Sequence, residues 1–173
     1  QVMAGRTLTV NGQGMQNLGT LPLAGGTLQL GGPLRNDGSL TGWGRIEGGA
    51  FISTGSVQQA GGNLVLASSV GVINQGLWTL ERARQLQLET ATTVLMNQGQ
   101  MDLAGASVRG AGSFTNQSMG VITGSGSISV PFANQGTLAL AAGDFVTLAT
   151  GAKNTGLVDL RSASALLGGG KTL

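Results

Sequence analysis

An Asn-x-Gly triplet returns down this chain about every 20 residues, and no other feature limits the possible folds so sharply. It stands at Asn17-Leu18-Gly19, Asn36-Asp37-Gly38, Asn74-Gln75-Gly76, Asn97-Gln98-Gly99, Asn134-Gln135-Gly136 and Asn154-Thr155-Gly156. Degenerate copies, Ser53-Thr54-Gly55 and Asn116-Gln117-Ser118, fill the two gaps. The successive spacings are 19, 17, 21, 23, 19, 18 and 20, seven steps that average about 19.6 residues. A period of this length marks a solenoid or another stacked array, in which each repeat buries its apolar face against its neighbours.

Alignment on the Asn exposes the core. Two residues before it stand Met15, Leu34, Phe51, Val72, Leu95, Phe114, Phe132 and Ala152, all apolar. Four residues after it stand Leu21, Leu40, Val57, Trp78, Met101, Leu138 and Val158, and six after it Leu23, Leu80, Leu103, Leu140 and Leu160. The Asn116 copy breaks step, with Gly120 at the fourth place and Val121 one later. Alternation of period two is the pattern of a strand with one buried face. A second alternating run follows a Gly- or Ala-rich break, as in Thr27-Leu28-Gln29-Leu30 and Gln85-Leu86-Gln87-Leu88. Each coil therefore reads as strand, small-residue turn, strand, turn, and a short third strand into the next mark. No long stretch keeps a period of 3.6, so helix is expected to be negligible.

The fold class that follows is all-β: a single-stranded right-handed parallel β-helix of about eight coils, continuous over residues 1–173. The hand is that of parallel crossovers in general. At about 4.8 Å per coil the rod is on the order of 40 Å long. The chain opens and closes in mid-pattern, as expected of a segment of a longer array. At the marks, Gly19, Gly38, Gly76, Gly99, Gly136 and Gly156 are expected to supply positive φ at the coil corner. Asn17, Asn36, Asn74, Asn97, Asn116, Asn134 and Asn154 are expected to tolerate the left-handed region and to hydrogen-bond from coil to coil.

Composition removes several function classes. The 173 residues include 32 Gly but only 9% charged residues, with no Cys and no His. Ser-His-Asp triads, thiol chemistry and His- or Cys-ligated metal sites are thereby excluded. The net charge of +2 is spread over nine scattered Lys and Arg residues, and no basic cluster with interleaved aromatics invites nucleic acid. No apolar run reaches the length of a membrane span.

Among the acids, Asp102 and Asp159 share a coil position but lie three coils apart, roughly 14 Å at the sheet spacing. Paired catalytic carboxylates work at roughly 5 to 9.5 Å. With apolar neighbours expected between them, no catalytic residue, cofactor or metal is expected. A rank of Thr for ice binding is also missing, because the position three after the Asn is mixed.

Two stretches remain as possible binding sites. The longest step carries Glu81, Arg82, Arg84 and Glu89, either as a protruding loop that meets a partner or as a solvated bulge with weakly paired charges. Trp43, in Gly42-Trp43-Gly44-Arg45, either stacks on a sugar ring or partner surface, with Arg45 beside it, or folds over a coil corner as packing. Trp78 holds a core position.

Phrases such as Phe132-Ala133-Asn134-Gln135-Gly136-Thr137-Leu138 and Leu34-Arg35-Asn36-Asp37-Gly38-Ser39-Leu40 resemble the repeats of filamentous-haemagglutinin-like exoproteins and autotransporter passengers of bacterial surfaces. The resemblance implies a parallel β-helix that is secreted or displayed on the cell surface as a rod or fibre and mediates adhesion. It brings no catalytic residues. The expected partners are other copies or flanking coils of the chain, and host-surface or matrix glycans. The alternatives are a carbohydrate-binding or polysaccharide-active β-helix, and a subunit that stacks end to end into a filament.

Overall fold

A computed structural model describes residues 1–149 and 151–161 in full and the backbone of 165–168. Throughout the described residues the chain forms parallel strands and turns, with no helix. They stack as a β-solenoid of about eight coils of roughly 20 residues, in two sheets of 15 and eight strands. The expected array over 1–173 runs at its far end into residues outside those described.

The eight-stranded sheet is made of the short segments that lead into each mark. Its members, among them Leu34–Asn36, Phe51–Ser53, Val72–Asn74, Val94–Asn97 and Phe132–Asn134, pair Asn on Asn along the stack, with Ser53 taking one place. The larger sheet holds the two remaining segments of every coil. In the coils that follow the first three marks those two segments form one long strand, Thr20–Leu30, Ser39–Gly48 and Ser56–Ser68. Glycines bend these strands through register shifts between Ala24 and Thr27 and between Gly42 and Gly44. From the fourth coil the bend becomes a true turn, and the sheet forks along Ser56–Ser68. The front half of that strand pairs with Leu77–Thr79 and the back half with Gln85–Leu88. The small-residue break therefore interrupts the strand in the later coils and at the amino-terminal end, where Val2–Met3 and Thr7–Val10 both pair with Thr20–Leu30.

The interior consists of columns of like side chains. Leu34, Phe51, Val72, Leu95, Phe114 and Phe132 form the column two before the mark, and none is more than 4% exposed. Leu40, Val57, Trp78, Met101, Ile122 and Leu138 form the column beyond the corner. Burying each such side chain contributes about 1.5–3 kcal/mol, so one coil's core stabilises it only while its neighbours cover it. Trp78 is fully buried between Val57 and Met101, with its ring centroid 6.1 Å from that of Phe51. Among the described residues the outermost coils lack that cover, and Leu8 and Leu160, which pair with the buried Leu28 and Leu140, are exposed.

The coil of Asn116 differs from its expected reading. Ile122, not Val121, pairs with Met101 and Leu138 and enters the core. The turn there is two residues longer, and Gly120 takes the corner that Gly99 and Gly136 occupy in the flanking coils. The Val121 N–H donates to the Gly99 carbonyl, and the Thr137 N–H donates to the Gly120 carbonyl. Inserting an even number of residues keeps the alternation facing the same way.

The corner glycines also act differently from expectation. None of Gly19, Gly38, Gly76, Gly99, Gly136 and Gly156 has positive φ, and neither do the Asn residues of the marks. What requires glycine is close approach between coils. A Cβ on Gly38 would lie 2.1 Å from the Gly19 carbonyl oxygen, and one on Gly99 would lie 2.3 Å from that of Gly76. The same clash recurs at Gly136 with Gly120 and at Gly156 with Gly136. Backbone lies on backbone in this column, with no room for a side chain.

Candidate functional site

Inside the corner, the Asn side chains form a ladder. Asn17 Nδ2 donates to Asn36 Oδ1 at 2.7 Å, and the same bond repeats from Asn74 to Asn97, Asn97 to Asn116, Asn116 to Asn134 and Asn134 to Asn154. Asn36 donates instead to the Ser53 hydroxyl at 3.0 Å. Each Nδ2 also donates to the first strand carbonyl past the next corner, for example Asn74 to Gln100 O and Asn134 to Leu157 O. Each amide thus joins both arms of the next coil. Asn36, Asn74, Asn97 and Asn116 are fully buried, so the ladder is a structural element and presents nothing to a ligand.

The middle residue of the mark builds a second, outer ladder that the Asn alignment alone did not reveal. Gln75 Nε2 donates to Gln98 Oε1 at 2.9 Å, and Gln98 donates to Gln117. Its signal was present in the sequence as the repeated dipeptide Asn-Gln. In the second coil Asp37 takes this place and accepts from the Thr54 hydroxyl, from Gln16 at 2.6 Å and from Arg35 at 2.8 Å. These donors hold its carboxyl down at a pKa of about 2, the Thr54 bond acting most strongly and those from Gln16 and Arg35 following. A lowered pKa adds stability that is complete above the unfolded value of about 4 and disappears as pH falls through about 2. Asp37→Asn should therefore flatten the stability profile between about pH 4 and pH 2. Urea titrations across that range check this, and an unchanged slope would refute it.

The outer face of the larger sheet carries the other candidates. Arg45 points outward from Ser39–Gly48 and is held from two sides. Its Nε donates to Glu47 at 2.5 Å, and its two terminal nitrogens donate to Glu89, two coils further on, at 2.7 and 2.5 Å. The reach is open because the intervening neighbours on this face are Val65 and the small Ala67. The Arg45 guanidinium lowers the Glu89 pKa, chiefly by hydrogen bonding, and the two carboxylates raise that of Arg45.

The stretch from Glu81 to Glu89 does not protrude as a loop: its turn is exposed with the weakly paired charges of the solvated reading, while the residues after it return to the sheet. Residues 81–84 form the tight turn between Leu77–Thr79 and Gln85–Leu88, with Ala83 at φ 59°, and Gln85–Leu88 lies within the sheet. Glu81 accepts from the Gly61 N–H at 2.7 Å, while the Arg84 guanidinium stands 3.5 Å from Glu81. Arg82 and Arg84 are exposed. The extra residues of the longest step are absorbed by turns on either side of that strand.

Trp43 sits on the bulge at Gly42–Gly44, where a bulge re-aims a side chain. Its indole crosses the coils on both sides. A Cβ on Gly25 would meet the six-membered ring at 2.5 Å, and one on Gly62 would meet the ring fusion at 2.7 Å. The ring therefore lies on a glycine floor and remains 37% exposed. With Thr27, Arg45, Asn63 and Arg84 it lines a groove of about 340 Å³. Of the two readings of Trp43, packing over the corner accounts for the inner face of the ring and leaves the outer face open.

Asp102 and Asp159 occupy one outward column three coils apart, as expected, but the residues between them are Thr123 and Ala139, so only one is apolar. Asp102 caps the Ala104 N–H, and Asp144 accepts from Ser125 and from the Ala141 N–H. Among the described residues no three acidic side chains gather where they would hold a metal ion. Among the described residues no helix is long and apolar enough to cross a membrane.

The stacked strands and the buried amide ladder define the class of protein, a β-solenoid. Comparison with family models, curated proteins and solved structures finds no match to this chain.

Proposed function

We propose that the protein is a structural and adhesive β-solenoid, part of an extracellular or cell-surface rod, with no catalytic role. The observation that carries this reading is the ladder: side-chain amides tie successive coils at 2.7–2.8 Å in five of the seven steps between marks, and three of those bonds are fully buried. Such a ladder makes a stiff rod whose length is set by coil number, and its outer faces are free to vary. Among the described residues the outermost strands, Met15–Asn17 and Lys153–Asn154, have one neighbour each in their sheet. Further coils, of the same chain or of another copy, extend the rod by the same pairing.

Two measurements test the proposal. Antibodies against residues 1–161 should label intact source cells or their medium, and mild protease treatment of whole cells should remove the label. Signal confined to lysed cells would overturn the surface role. Electron microscopy of a tandem fusion of two copies should show straight rods longer than the single chain at unchanged width; bent or globular particles would overturn the rod.

A further inference from the structure

The groove beside Trp43 has features that neither packing nor the rod requires. The residues under the indole are Gly25, Gly61 and Gly62, and any side chain at Gly25 or Gly62 would lift the ring from the surface. The ring is thus set flat, with one face on backbone and one on water. Its Nε1 lies over Gly61, whose Cβ position would stand 3.3 Å from it. A flat, half-exposed indole is the surface on which the C–H face of a pyranose ring stacks, and Trp offers both apolar area and a donor for the sugar hydroxyls.

The charges around it set the class of sugar. The lining includes two guanidinium groups, Arg45 and Arg84, and no carboxylate. Arg45 is engaged by two carboxylates, Glu47 and Glu89, which lie outside the lining, so it has no charge to offer a ligand. Arg84 differs: its one ion-pair contact among the described residues is Glu81 at 3.5 Å, beyond a good hydrogen bond, and that carboxylate already accepts from the Gly61 N–H. Arg84 thus retains its planar set of donors for an incoming carboxylate. Arg109, also exposed, stands on the same outward column as Arg45, through Val65 and Gln87.

From the indole, outward polar side chains continue along the stack. Asn63 bonds to Gln85, and Gln85, Ser107, Ser127 and Thr147 follow one per coil. Each step is about 4.8 Å, so a sugar chain running parallel to the axis meets a fresh polar group at every coil.

We propose that this surface binds acidic glycans, with a uronic acid ring stacked on Trp43 and its carboxylate held by Arg84. The site gives the adhesive reading a ligand and rests on that reading only for where the protein meets it. Binding is measured in solution, so a failure here leaves the location tests above untouched, and the reverse also holds.

The test is a titration of the whole chain with a galacturonate tetramer and with the neutral galactose tetramer. Trp78 is fully buried, so sugar-dependent changes in fluorescence and in acrylamide quenching report on Trp43. The uronate should produce saturable protection from quenching and bind at least tenfold more tightly than the neutral sugar. Trp43→Ala, which removes the fluorescent reporter and is therefore titrated by calorimetry beside the parent, should lower uronate affinity tenfold or more. Arg84→Gln should remove the preference for uronate while leaving the neutral sugar unchanged, and added salt should weaken uronate binding alone. Circular dichroism and urea midpoints check that each variant folds. If Trp43→Ala does not fold, Trp43→Phe, titrated by calorimetry, and the quenching of the unaltered protein carry the test. Absence of saturable binding, affinity indifferent to Trp43, or equal binding of both sugars with and without Arg84 would each overturn the proposal.

Discussion

Replacing Gly76 by alanine is expected to destabilise the fold by about 3 kcal/mol or more, a large effect for a single methyl group. The new Cβ would lie 2.0 Å from the Gly55 carbonyl oxygen and 2.4 Å from that of Thr54. Both are backbone atoms, so no rotamer change makes room. Relief requires the two coils to separate by more than an ångström at the corner. There the Gly76 N–H bonds Ser53 O at 3.1 Å and the Leu77 N–H bonds Gly55 O at 3.1 Å. Lengthening those bonds also pulls on the Asn74 amide, which reaches Asn97 and Gln100 O from the same turn. Gly19→Ala is the internal control. A Cβ there meets nothing within 4 Å and the backbone is not at positive φ, so alanine should be neutral or slightly stabilising through the unfolded chain. Urea unfolding of the two variants beside the parent checks the contrast. Similar midpoints for both would mean that the glycine column is not held by close contact.

Where the sequence was legible, it was because a repeat writes the same physics many times. The column Leu34, Phe51, Val72, Leu95, Phe114 could be aligned without a structure, because each copy faces the same interior and alternation has only two phases. The Asn mark stood out for the same reason. Its mechanism did not. Asn and Gly at a corner ordinarily signal positive φ, whereas here the Asn is needed as a buried donor and acceptor and the Gly as empty space. Both are properties of the neighbouring coil, which lies about 20 residues away in sequence. The shift at Asn116 was hidden similarly: Ile122 and Val121 are equally apolar, and only the pairing with Met101 chooses between them. At Trp43 the residue type suggested stacking, but the flatness of the ring depends on Gly25 and Gly62, one coil on either side. The link from Arg45 to Glu89 spans 44 residues and two coils, and no local pattern announces it.

Removing one rung from the middle of the amide ladder should show how far the fold depends on it. Asn97 is fully buried, accepts from Asn74 at 2.7 Å, and donates to Asn116 Oδ1 at 2.8 Å and to Val121 O at 3.3 Å. Alanine at this position leaves Asn116 Oδ1 without its donor and weakens the hold on the Val121 strand, and it opens a small cavity in the corner. A buried polar atom left unpaired costs about 1–3 kcal/mol, so with the cavity the expected loss is about 2–4 kcal/mol. Ser53→Ala, where the ladder is already reduced to one bond from Asn36, should lose only about 1 kcal/mol. Asn97→Asp makes the sharper test because it keeps the shape and changes only the protons. An ionised carboxylate still accepts from Asn74 but places its other oxygen against Asn116 Oδ1, acceptor on acceptor. Burial and that contact raise its folded pKa above the unfolded value of about 3.9. A raised pKa gives stability that is present at low pH and is lost as pH climbs past the unfolded value, because the protonated acid donates to Asn116 as the amide did. Relative to the parent at the same pH, the variant should therefore be near normal at pH 3 and deeply destabilised at pH 7. Equal deficits at the two pH values would show that the ladder's donors do not set the stability of the stack.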